Sequence, residues 1–462
     1  MGRMPFMRRL MLEEGYEALP YRCGLPSTTP FCQAGILYGD NAEIPSYRWW
    51  DKKSQRLVAF GEDGTFPEVA DRYFHGRHSL TEDGICIAAL YDAAPVVEFG
   101  PVYQERHLPP GQAARLDRHV IVPFLTNPAT LYYWLRHGFG SLFRIGWHYL
   151  RARLARRPAA DTYVLADLFH ETVVHHLTRF AIRQAMREGR SVIYAGIYTY
   201  DEAAHAFGPE DPWTERILRH VDHTVRLVAG ERKGEYELVV LSDHGQVESV
   251  PFVDADGRRL GEMVSEWLPG HAVEEHRGGR WGEPEVGHVE LAYSGGLAHL
   301  YFRDLPGRVD ADEVEKRHPG FIGRLSGLDR IDFVMTRAGG RDVIFTGGRR
   351  LEIGQPEAAE FLARLDESAV IAAQLRRLNS FETCGDLVVF GRYRDGVQVN
   401  FEDQAGGHGS AGGDQLHPFL LVKKEWGIDT AAVVDASGLY PILVRLRDEG
   451  RAGAPPAPPG WP

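Results

Sequence analysis

Two buried-strand patterns, each followed by acidic and histidine residues, constrain this chain more than any other feature. Residues 191–198, SVIYAGIY, and 236–241, YELVVL, are short β-branched and aromatic runs typical of buried strands. Between them, Asp211 and Pro212 supply an N-cap and a first-turn proline, which predicts a helix through about residue 227. Strand, helix and strand joined by short links predict a parallel sheet covered by helices.

Further elements of the same kind lie on either side of this unit. Residues 160–189 have helical periodicity that stops at Gly189, and residues 385–393 form a third strand-like run before the glycine-rich loop 400–419. In open parallel sheets, functional side chains collect in the loops at the carboxyl ends of the strands. We therefore expect the polar loops that follow these strands to meet in space.

Three of these loops carry residue types that bind divalent metal ions. The first has Asp201 and His205, the second has Asp243 and His244, and the third has His408 between glycines. Taken singly, each has an ordinary alternative: a helix cap, a turn, or a flexible-loop histidine. Their joint occurrence at strand ends favours a mixed nitrogen and oxygen site for two metal ions, zinc first, with manganese or iron as alternatives.

The same segments resemble the alkaline phosphatase superfamily, and within it the type I phosphodiesterase/nucleotide pyrophosphatase branch. Residues 201–209, DEAAHAFGP, are similar to the branch's Asp and His four apart before Gly-Pro. Residues 239–245, VVLSDHG, and 406–413, GGHGSAGG, are similar to its Asp-His-Gly and late His-Gly segments. The order and spacing cover about residues 20–440. The resemblance implies an α/β fold of the alkaline-phosphatase-like three-layer type, with a mostly parallel central sheet, helices on both faces and an inserted cap subdomain.

The resemblance also implies an activity and a ligand set. Asp201, His205 and His408 would bind one metal ion, and Asp243 and His244 would bind the other together with the nucleophile. The implied reaction is hydrolysis of a phosphodiester or nucleotide pyrophosphate through a phosphothreonine intermediate. A phosphomonoesterase of the same superfamily and a binding-only, degenerate relative are the alternatives.

The nucleophile is expected in a stretch with three consecutive hydroxyls, Ser27, Thr28 and Thr29. The branch's nucleophilic threonine lies about ten residues before a glycine that closes a short helical stretch, and Thr29 stands in that relation to Gly39. A free hydroxyl is a poor nucleophile near neutral pH, and metal coordination activates it. A helix that begins there would also present its amides to a phosphoryl oxygen. The alternative is that Thr29 is only a helix N-cap.

Substrate contacts are less defined by the sequence. The branch has an Asn about twenty residues after the nucleophile, and here that region offers Tyr47 and Arg48, of which the arginine suits a phosphate oxygen. Phe31, Tyr198 and Tyr200 flank the loops, where they would stack on a base or aryl leaving group or simply pack in the core. A sulfatase is disfavoured because the stretch at Cys23 lacks the required x-Pro-x-Arg.

One part of the family pattern has no counterpart. The branch begins with a strand that ends in Asp-Gly, whose Asp binds the metal nearest the nucleophile, and no Asp precedes Thr29 here. We expect this first strand and its ligand to be encoded upstream of Met1, because losing a central strand would expose backbone ladders. A degenerate relative without the full metal site is the alternative.

The pattern predicts a division of the chain into six parts. They are 1–125, core with the nucleophile; 126–160, an aromatic and arginine-rich helical segment; 161–251, core with metal loops; 252–330, an inserted cap subdomain; 331–445, the rest of the core; and 446–462, a disordered proline-rich tail.

Composition limits the class of partner. The net charge of −12 argues against binding nucleic-acid duplexes, and a small-molecule phosphate ester or nucleotide is the expected substrate. Four scattered cysteines, no signal-peptide pattern and no long apolar run predict a cytoplasmic protein. Residues 131–157 interleave arginines with aromatic residues, which predicts either weak contact with a membrane surface or a cap helix beside the substrate.

Overall fold

The computed structural model describes residues 2–60, 65–82, 84–91, 96–97, 124–154, 175–232, 234–277 and 279–453. These residues form a mixed α/β structure with several sheets. The α-helices described are α1 Pro5–Glu13, α2 Thr29–Tyr38, α3 Thr65–Phe74, α4 Pro128–Leu154, α5 His175–Arg187, α6 Thr199–Phe207, α7 Pro212–Glu231, α8 Phe252–Asp256, α9 Leu260–Trp267, α10 Ala311–Arg317, α11 Phe321–Ser326, α12 Pro356–Leu362, α13 Ser368–Ser380 and α14 Leu439–Gly453.

The strands described fall into five sheets. They are β1 Tyr16–Pro20, β2 Arg48–Asp51, β3 Arg56–Ala59, β4 Ile85–Ile87, β5 Val96–Val97, β6 Ile193–Ala195, β7 Val240–Leu241, β8 Val247–Pro251, β9 His271–His276, β10 Gly279–Trp281, β11 Gly287–Ser294, β12 Leu297–Phe302, β13 Ile331–Ala338, β14 Arg341–Thr346, β15 Arg349–Glu352, β16 Leu387–Gly391, β17 Tyr393–Arg394, β18 Val397–Asn400, β19 Gly406–Gly407 and β20 Phe419–Lys423.

The two buried-strand patterns at 191–198 and 236–241 belong to different sheets. Strand β6 pairs in parallel with β4, which also pairs in parallel with β5. Strand β7 instead pairs antiparallel with β20, whose other neighbour, β1, is also antiparallel. The expectation that β6 and β7 share one mostly parallel sheet therefore differs from the pairing in the described residues. The link to β20 comes from far along the chain, where local pattern carries no information about pairing.

The largest sheet has eight strands in the order β10-β9-β11-β12-β16-β13-β14-β15. Its only parallel pair among the described strands is β9 with β11, because tight turns such as Gly295–Gly296 join most neighbours as antiparallel hairpins. Strand β16 alternates between the two core clusters: Leu387 and Val389 face one, Val388 and Phe390 the other. The sheet takes strands from both sides of position 330, so the expected boundary at 330 passes through it.

Helix α7 confirms a local prediction. Its N-cap is Asp211, whose side chain accepts a hydrogen bond from the Trp213 amide at 2.7 Å, and Pro212 opens the helix. The helix continues to Glu231, four residues beyond the predicted end near 227. The apolar residues Val225 and Val228 extend the buried face through its last turns and account for the extra length.

Other helices differ from the expected segments at their ends. Helix α4 lies within the predicted segment 126–160, and α5 covers the second half of the predicted helix 160–189, whose first part lies outside the described residues. The chain is helical through Gly453, where a disordered tail from 446 was expected. Arg447 in that helix donates to the carbonyl oxygens of Ser79 and Leu80, which ties α14 to the body of the protein.

Helix α2 is buried along its whole length, and its position depends on glycine. A Cβ atom on Gly35 would lie 2.7 Å from the backbone nitrogen of Ser437, so the close approach of these segments requires glycine there. Gly39 ends the helix in the left-handed conformation with φ of 68°. The helix therefore begins at Thr29 and ends before Gly39, in the arrangement that the sequence suggested for the nucleophile.

Candidate metal centre

Asp201 and His205 lie on a helix, where the sequence analysis placed them in a loop. Both are in α6, which begins directly after the short loop that follows β6. Because residues four apart share one face of a helix, their side chains converge, with His205 Nε2 3.4 Å from Asp201 Oδ2. Strand β6 and this short connection thus deliver two adjacent ligand groups to one point.

His408 reaches the same point from the glycine-rich loop after β19. Its Nε2 lies 3.2 Å from His205 Nε2 and 3.7 Å from Asp201 Oδ1. Within the part of the chain that the structure describes, Asp201, His205 and His408 are the one group of three such residues whose ligand atoms all lie within 4.8 Å of one another. The structure therefore brings together the residues that the sequence assigned to the first metal ion.

Thr29, Asp243 and His244 form a second group beside the first. Thr29 Oγ1 lies 3.0 Å from His244 Nε2, and His244 Nε2 lies 3.9 Å from Asp243 Oδ1. The rings of His244 and His408 stack with centroids 3.8 Å apart, so the two groups are in direct contact. The five residues that the sequence predicts as metal ligands thus lie in one site with the Thr29 hydroxyl.

The three imidazoles are oriented in the same way. The Nδ1 atoms of His205, His244 and His408 each lie within hydrogen-bonding distance of a backbone carbonyl: Gly406 at 3.0 Å, Gly245 at 3.0 Å and Ser27 at 2.7 Å, respectively. Since a carbonyl oxygen only accepts, Nδ1 carries a proton, and in the neutral ring Nε2 has the lone pair. This arrangement fixes the ring orientation of metal-binding histidines in general.

The three hydroxyls of the stretch 27–29 differ sharply in their surroundings. Ser27 Oγ accepts from the Gly409 amide at 2.9 Å and donates to Gln415 Oε1 at 3.2 Å, so it holds the His408 loop. Thr28 is the N-cap residue of α2, yet its hydroxyl is buried and no described residue hydrogen-bonds to it. Thr29 alone of the three points at a predicted metal ligand. It is not the N-cap.

Charge at the site favours a cation. Burial would raise the pKa of the Asp201 carboxyl, but His205 and its histidine neighbours hold that pKa well below its usual range. Burial opposes charge on His205, yet the Asp201 carboxylate raises the pKa of His205 to about 9. Burial and the neighbouring His244 lower the pKa of His408, while burial raises the pKa of Asp243.

The residues fit a divalent metal ion. Two neutral imidazoles whose Nε2 lone pairs face each other at 3.2 Å repel unless a proton or a cation lies between them. Two nitrogens bound to one tetrahedral zinc at about 2.05 Å lie about 3.3 Å apart, close to that separation. With Asp201 beside them, His205 and His408 form a two-nitrogen, one-carboxylate set that suits zinc, manganese or iron.

Two glycines allow the ligand loops to approach other backbone closely. A Cβ atom on Gly245 would lie 2.1 Å from the carbonyl oxygen of Asp414, and one on Gly409 would lie 2.3 Å from that of Ser294. Gly409 also has a φ of 93°, which side chains rarely adopt. The glycines after His244 and His408 therefore belong to the geometry of the site.

Gln246 and Tyr21 contact the segments of the predicted ligands, and neither residue was expected from the sequence. Gln246 donates from Nε2 to the side-chain and backbone oxygens of Asp201, the latter at 3.2 Å. The Tyr21 hydroxyl donates to the Ser242 carbonyl at 2.6 Å, just before Asp243. Gln246 follows Asp243 by three residues, and this place in the predicted loop was the sequence signal for its role. The sequence had no such signal for Tyr21, because its contact depends on long-range strand pairing.

The residues predicted to contact the substrate are buried or half-buried against other parts of the protein. The Arg48 guanidinium is buried and donates to Glu402 Oε1 and to the Tyr293 carbonyl, both at 2.9 Å. Phe31 is fully packed in the large core cluster, whereas Tyr47 is half-buried beside Arg48. These contacts give Arg48 and Phe31 structural partners.

Two tyrosines of α6 and its N-cap face different surroundings. Tyr198 accepts a hydrogen bond from Gln33 Nε2 at 3.0 Å, which links α6 to α2. Tyr200 is half-buried against the cluster of α4, α6 and α7 that contains Phe207 and Trp213. Tyr198 therefore connects two site elements, and Tyr200 packs behind them.

The sequence model of the family described as type I phosphodiesterase / nucleotide pyrophosphatase matches residues 1–280, more than half of the chain. The chain belongs to this family, within the alkaline phosphatase superfamily. Its assignment as a phosphoesterase of this superfamily agrees with the Asp/His/His group. No curated protein matches the chain in sequence.

Several solved structures are similar to the chain. Phosphonoacetate hydrolase from Sinorhizobium meliloti 1021, in complex with phosphonoformate, has 15% identity and a TM-score of 0.49, covering 96% of this chain and 90% of that one. Murine ectonucleotide pyrophosphatase / phosphodiesterase 5 has 11% identity and a TM-score of 0.46, covering 96% and 91%. A mutant of alkaline phosphatase PafA has 12% identity and a TM-score of 0.49, covering 93% and 89%.

Among the described residues, no helix combines the length and the apolar character needed to cross a bilayer.

Proposed function

We propose that this protein hydrolyses a phosphodiester or nucleotide pyrophosphate through a phosphothreonine intermediate on Thr29. The observation that carries the proposal is the 3.0 Å contact of Thr29 Oγ1 with His244 Nε2, beside the Asp201, His205 and His408 group. Thr29 Oγ1 therefore lies beside the nitrogen that would ligate the second ion, where a bound cation favours ionisation of the hydroxyl.

The ligand sets divide between two cation positions. Asp201, His205 and His408 would hold one ion, and Asp243 and His244 would hold a second next to Thr29. Bound divalent ions would favour ionisation of the attacking hydroxyl or water and neutralise charge on the phosphoryl group. Family membership and the donor types support this assignment.

In the first half-reaction, Thr29 Oγ1 forms a bond to phosphorus as the bond from phosphorus to the leaving oxygen breaks. The hydroxyl proton departs from Thr29, and the leaving alcohol or phosphate takes up a proton. Thr29 is the first residue of α2, so free amides at the N-terminus of that helix would face the phosphoryl oxygens of a substrate bound at Thr29. The nucleophile would then lie next to donors for the charge that develops.

In the second half-reaction, water attacks the phosphorus of phosphothreonine, and the bond to Thr29 Oγ1 breaks. Thr29 regains its proton, and the phosphate or phosphomonoester product leaves. The stacked rings of His244 and His408 keep the two ligand groups in contact through both steps, so attacking and leaving oxygens meet a fixed arrangement of charge.

Hydrolysis of bis-p-nitrophenyl phosphate, p-nitrophenyl phosphate and a dinucleotide by protein loaded with zinc or manganese tests the proposal. Thr29→Ala should lower turnover of the preferred substrate by at least about a thousandfold, as expected when a nucleophile is removed. Thr28→Ala is the matched control, since Thr28 is the neighbouring buried threonine and its hydroxyl has no hydrogen bond to any described residue. Full activity of Thr29→Ala with normal metal content would refute the assignment.

A further inference from the structure

Helix α4 presents a continuous apolar face to solvent. The exposed large apolar residues recur at intervals of three or four, so they share one side of the helix. This outer stripe consists of Tyr132, Leu135, Phe139, Leu142, Phe143, Trp147, Leu150 and Leu154. Phe143 and Leu154 are 75% and 76% exposed. Contiguous apolar surface of this kind marks an interaction site in a water-exposed protein.

The opposite side of α4 is fixed to the protein. Ile145 and Tyr149 are buried against Phe207 of α6 and Trp213 of α7. His148 Nε2 lies 3.2 Å from Oδ1 of the α7 N-cap, Asp211. These contacts set the rotation of α4 about its axis, so the outer stripe faces away from the core.

The charge of this region is of one sign. The protein as a whole has a net charge of −12, yet residues 118–160 contain no Asp or Glu. Arg136, Arg151 and Arg153 are exposed on α4. The Arg151 guanidinium carbon lies 5.3 Å from the centre of the Trp147 ring, so cationic and apolar surface adjoin on this helix.

We propose that α4 lies in the plane of an anionic lipid surface, with the outer stripe inserted among the acyl chains and its arginines at the headgroups. From Tyr132 to Leu154 the stripe spans about 33 Å, enough for many headgroups. Aromatic and leucine residues on one side with arginines beside them are the composition of interfacial helices. Each arginine near such a surface adds electrostatic attraction to the anionic headgroups.

The charge distribution distinguishes this partner from two others. In a two-fold dimer, the same face of two copies would meet, and the arginines of two helices without acidic residues would repel across the interface. A nucleic acid would attract the arginines but offers no apolar phase for Phe139 and Phe143. An anionic bilayer supplies both the charge and the apolar phase.

Co-sedimentation of the full chain with vesicles tests the proposal. The protein should sediment with vesicles of phosphatidylcholine and phosphatidylglycerol, and much less with phosphatidylcholine alone. Added salt should weaken the binding because it screens the arginines. Protein that stays in the supernatant with the anionic vesicles would overturn the proposal.

Matched variants identify the surface. Phe139→Ser/Phe143→Ser should lower partitioning at least about tenfold, while Leu12→Ser/Val286→Ser, at two exposed apolar positions elsewhere, should leave it unchanged. Arg136→Ala/Arg151→Ala/Arg153→Ala should lower it about a hundredfold. Arg324→Ala/Arg349→Ala/Arg350→Ala, a triple change at exposed arginines outside α4, is its control.

Two further measurements separate membrane binding from misfolding of the variant and from loss of catalysis. Hydrolysis of a small soluble substrate by Phe139→Ser/Phe143→Ser should equal that of the wild type, which shows that the variant is folded. Thr29→Ala should bind vesicles as the wild type does, so loss of activity and loss of binding are distinguishable. Wild-type binding by the α4 variants, or a dimer in solution that Phe139→Ser/Phe143→Ser dissociates, would overturn the proposal.

Discussion

The described part of the protein contains two clusters of three histidines, and the two clusters differ in the partners of their ring nitrogens. In the first cluster, the Nδ1 atoms of His205, His244 and His408 each donate a hydrogen bond to a backbone carbonyl oxygen, and their Nε2 atoms face the site. The second cluster consists of His175, His176 and His220, whose ring centroids lie 4.1–5.9 Å apart. Histidine density alone therefore does not define a metal site.

The partners of the ring nitrogens make the difference. In the second cluster, His175 Nε2 lies 2.8 Å from Thr224 Oγ1 and His175 Nδ1 lies 3.2 Å from Thr199 Oγ1, so both of its nitrogens are used inside the protein. The first cluster also has carboxylates, from Asp201 and Asp243, while the charged neighbours of His175 are cationic, including Arg179. Carboxylates beside the imidazoles therefore distinguish the first cluster, and cationic neighbours of His175 distinguish the second.

Alanine substitutions in the two clusters should differ most strongly in their effects on metal content and turnover. His408→Ala removes a ligand shared with Asp201 and His205, so we expect loss of bound metal from that group and a fall in turnover of at least about a hundredfold. His220→Ala, in the second cluster, should keep both metal content and turnover. Elemental analysis of the purified proteins and the hydrolysis assay measure this. Equal metal loss in both variants would break the distinction.

In the second cluster, His175 should make the free energy of unfolding depend on pH. Burial, together with His220 and His176, lowers the pKa of His175 well below its usual value, and Arg179 and His223 act in the same direction. The folded state therefore keeps His175 neutral while the unfolded chain protonates it below about pH 6.5. Its contribution to the free energy of unfolding is present above that pH and is lost as the pH falls, by up to about 1.4 kcal/mol per unit.

Urea unfolding of the wild type and His175→Gln between pH 7.5 and about 5 measures this contribution. The wild type should lose stability more steeply than the variant, because glutamine does not titrate. Metal content of the variant at pH 7.5 should match the wild type. Parallel pH dependence in the two proteins would show that His175 is not held neutral.

Loss of a ligand-positioning contact should have a smaller effect than loss of a ligand. Gln246 donates a hydrogen bond to the Asp201 carboxylate, and loss of such a contact typically lowers metal affinity about 10- to 100-fold. Gln246→Leu should therefore bind zinc more weakly in a competition titration with a chelator, while Gln404→Leu, a buried glutamine that pairs with Asn400, should not. An unchanged zinc affinity of Gln246→Leu would remove Gln246 from the site.

The site was more predictable than the sheets around it. Asp201, His205 and Asp243 follow apolar runs at short range, and local pattern was enough to select them. His408 needed its family resemblance, because a histidine between glycines has no local signature. The pairing of β7 with β20 joins residues 240 and 421 and was invisible to local pattern, as was the Tyr21 contact to the Ser242 carbonyl.

The histidines of the second cluster show a further limit of the sequence. His175 and His176 lie in a regular helical pattern. Nothing in that pattern distinguishes a buried imidazole with hydrogen-bonded nitrogens, such as that of His175, from a metal ligand. The distinction depends on which hydroxyl or carbonyl meets each nitrogen, and Thr199 and Thr224 come from two other helices. Orientation of a side chain follows from tertiary packing, and composition or periodicity does not encode it.

The central claim is that Thr29 carries the phosphoryl group during turnover. Metal-loaded protein mixed with its preferred substrate, quenched in acid within the turnover time and digested should yield the peptide that contains Thr29 with one added phosphoryl group. Thr29→Ala should give no such peptide and no turnover, whereas Thr28→Ala should give both. A phosphoryl group on another residue, or turnover by Thr29→Ala, would contradict the account.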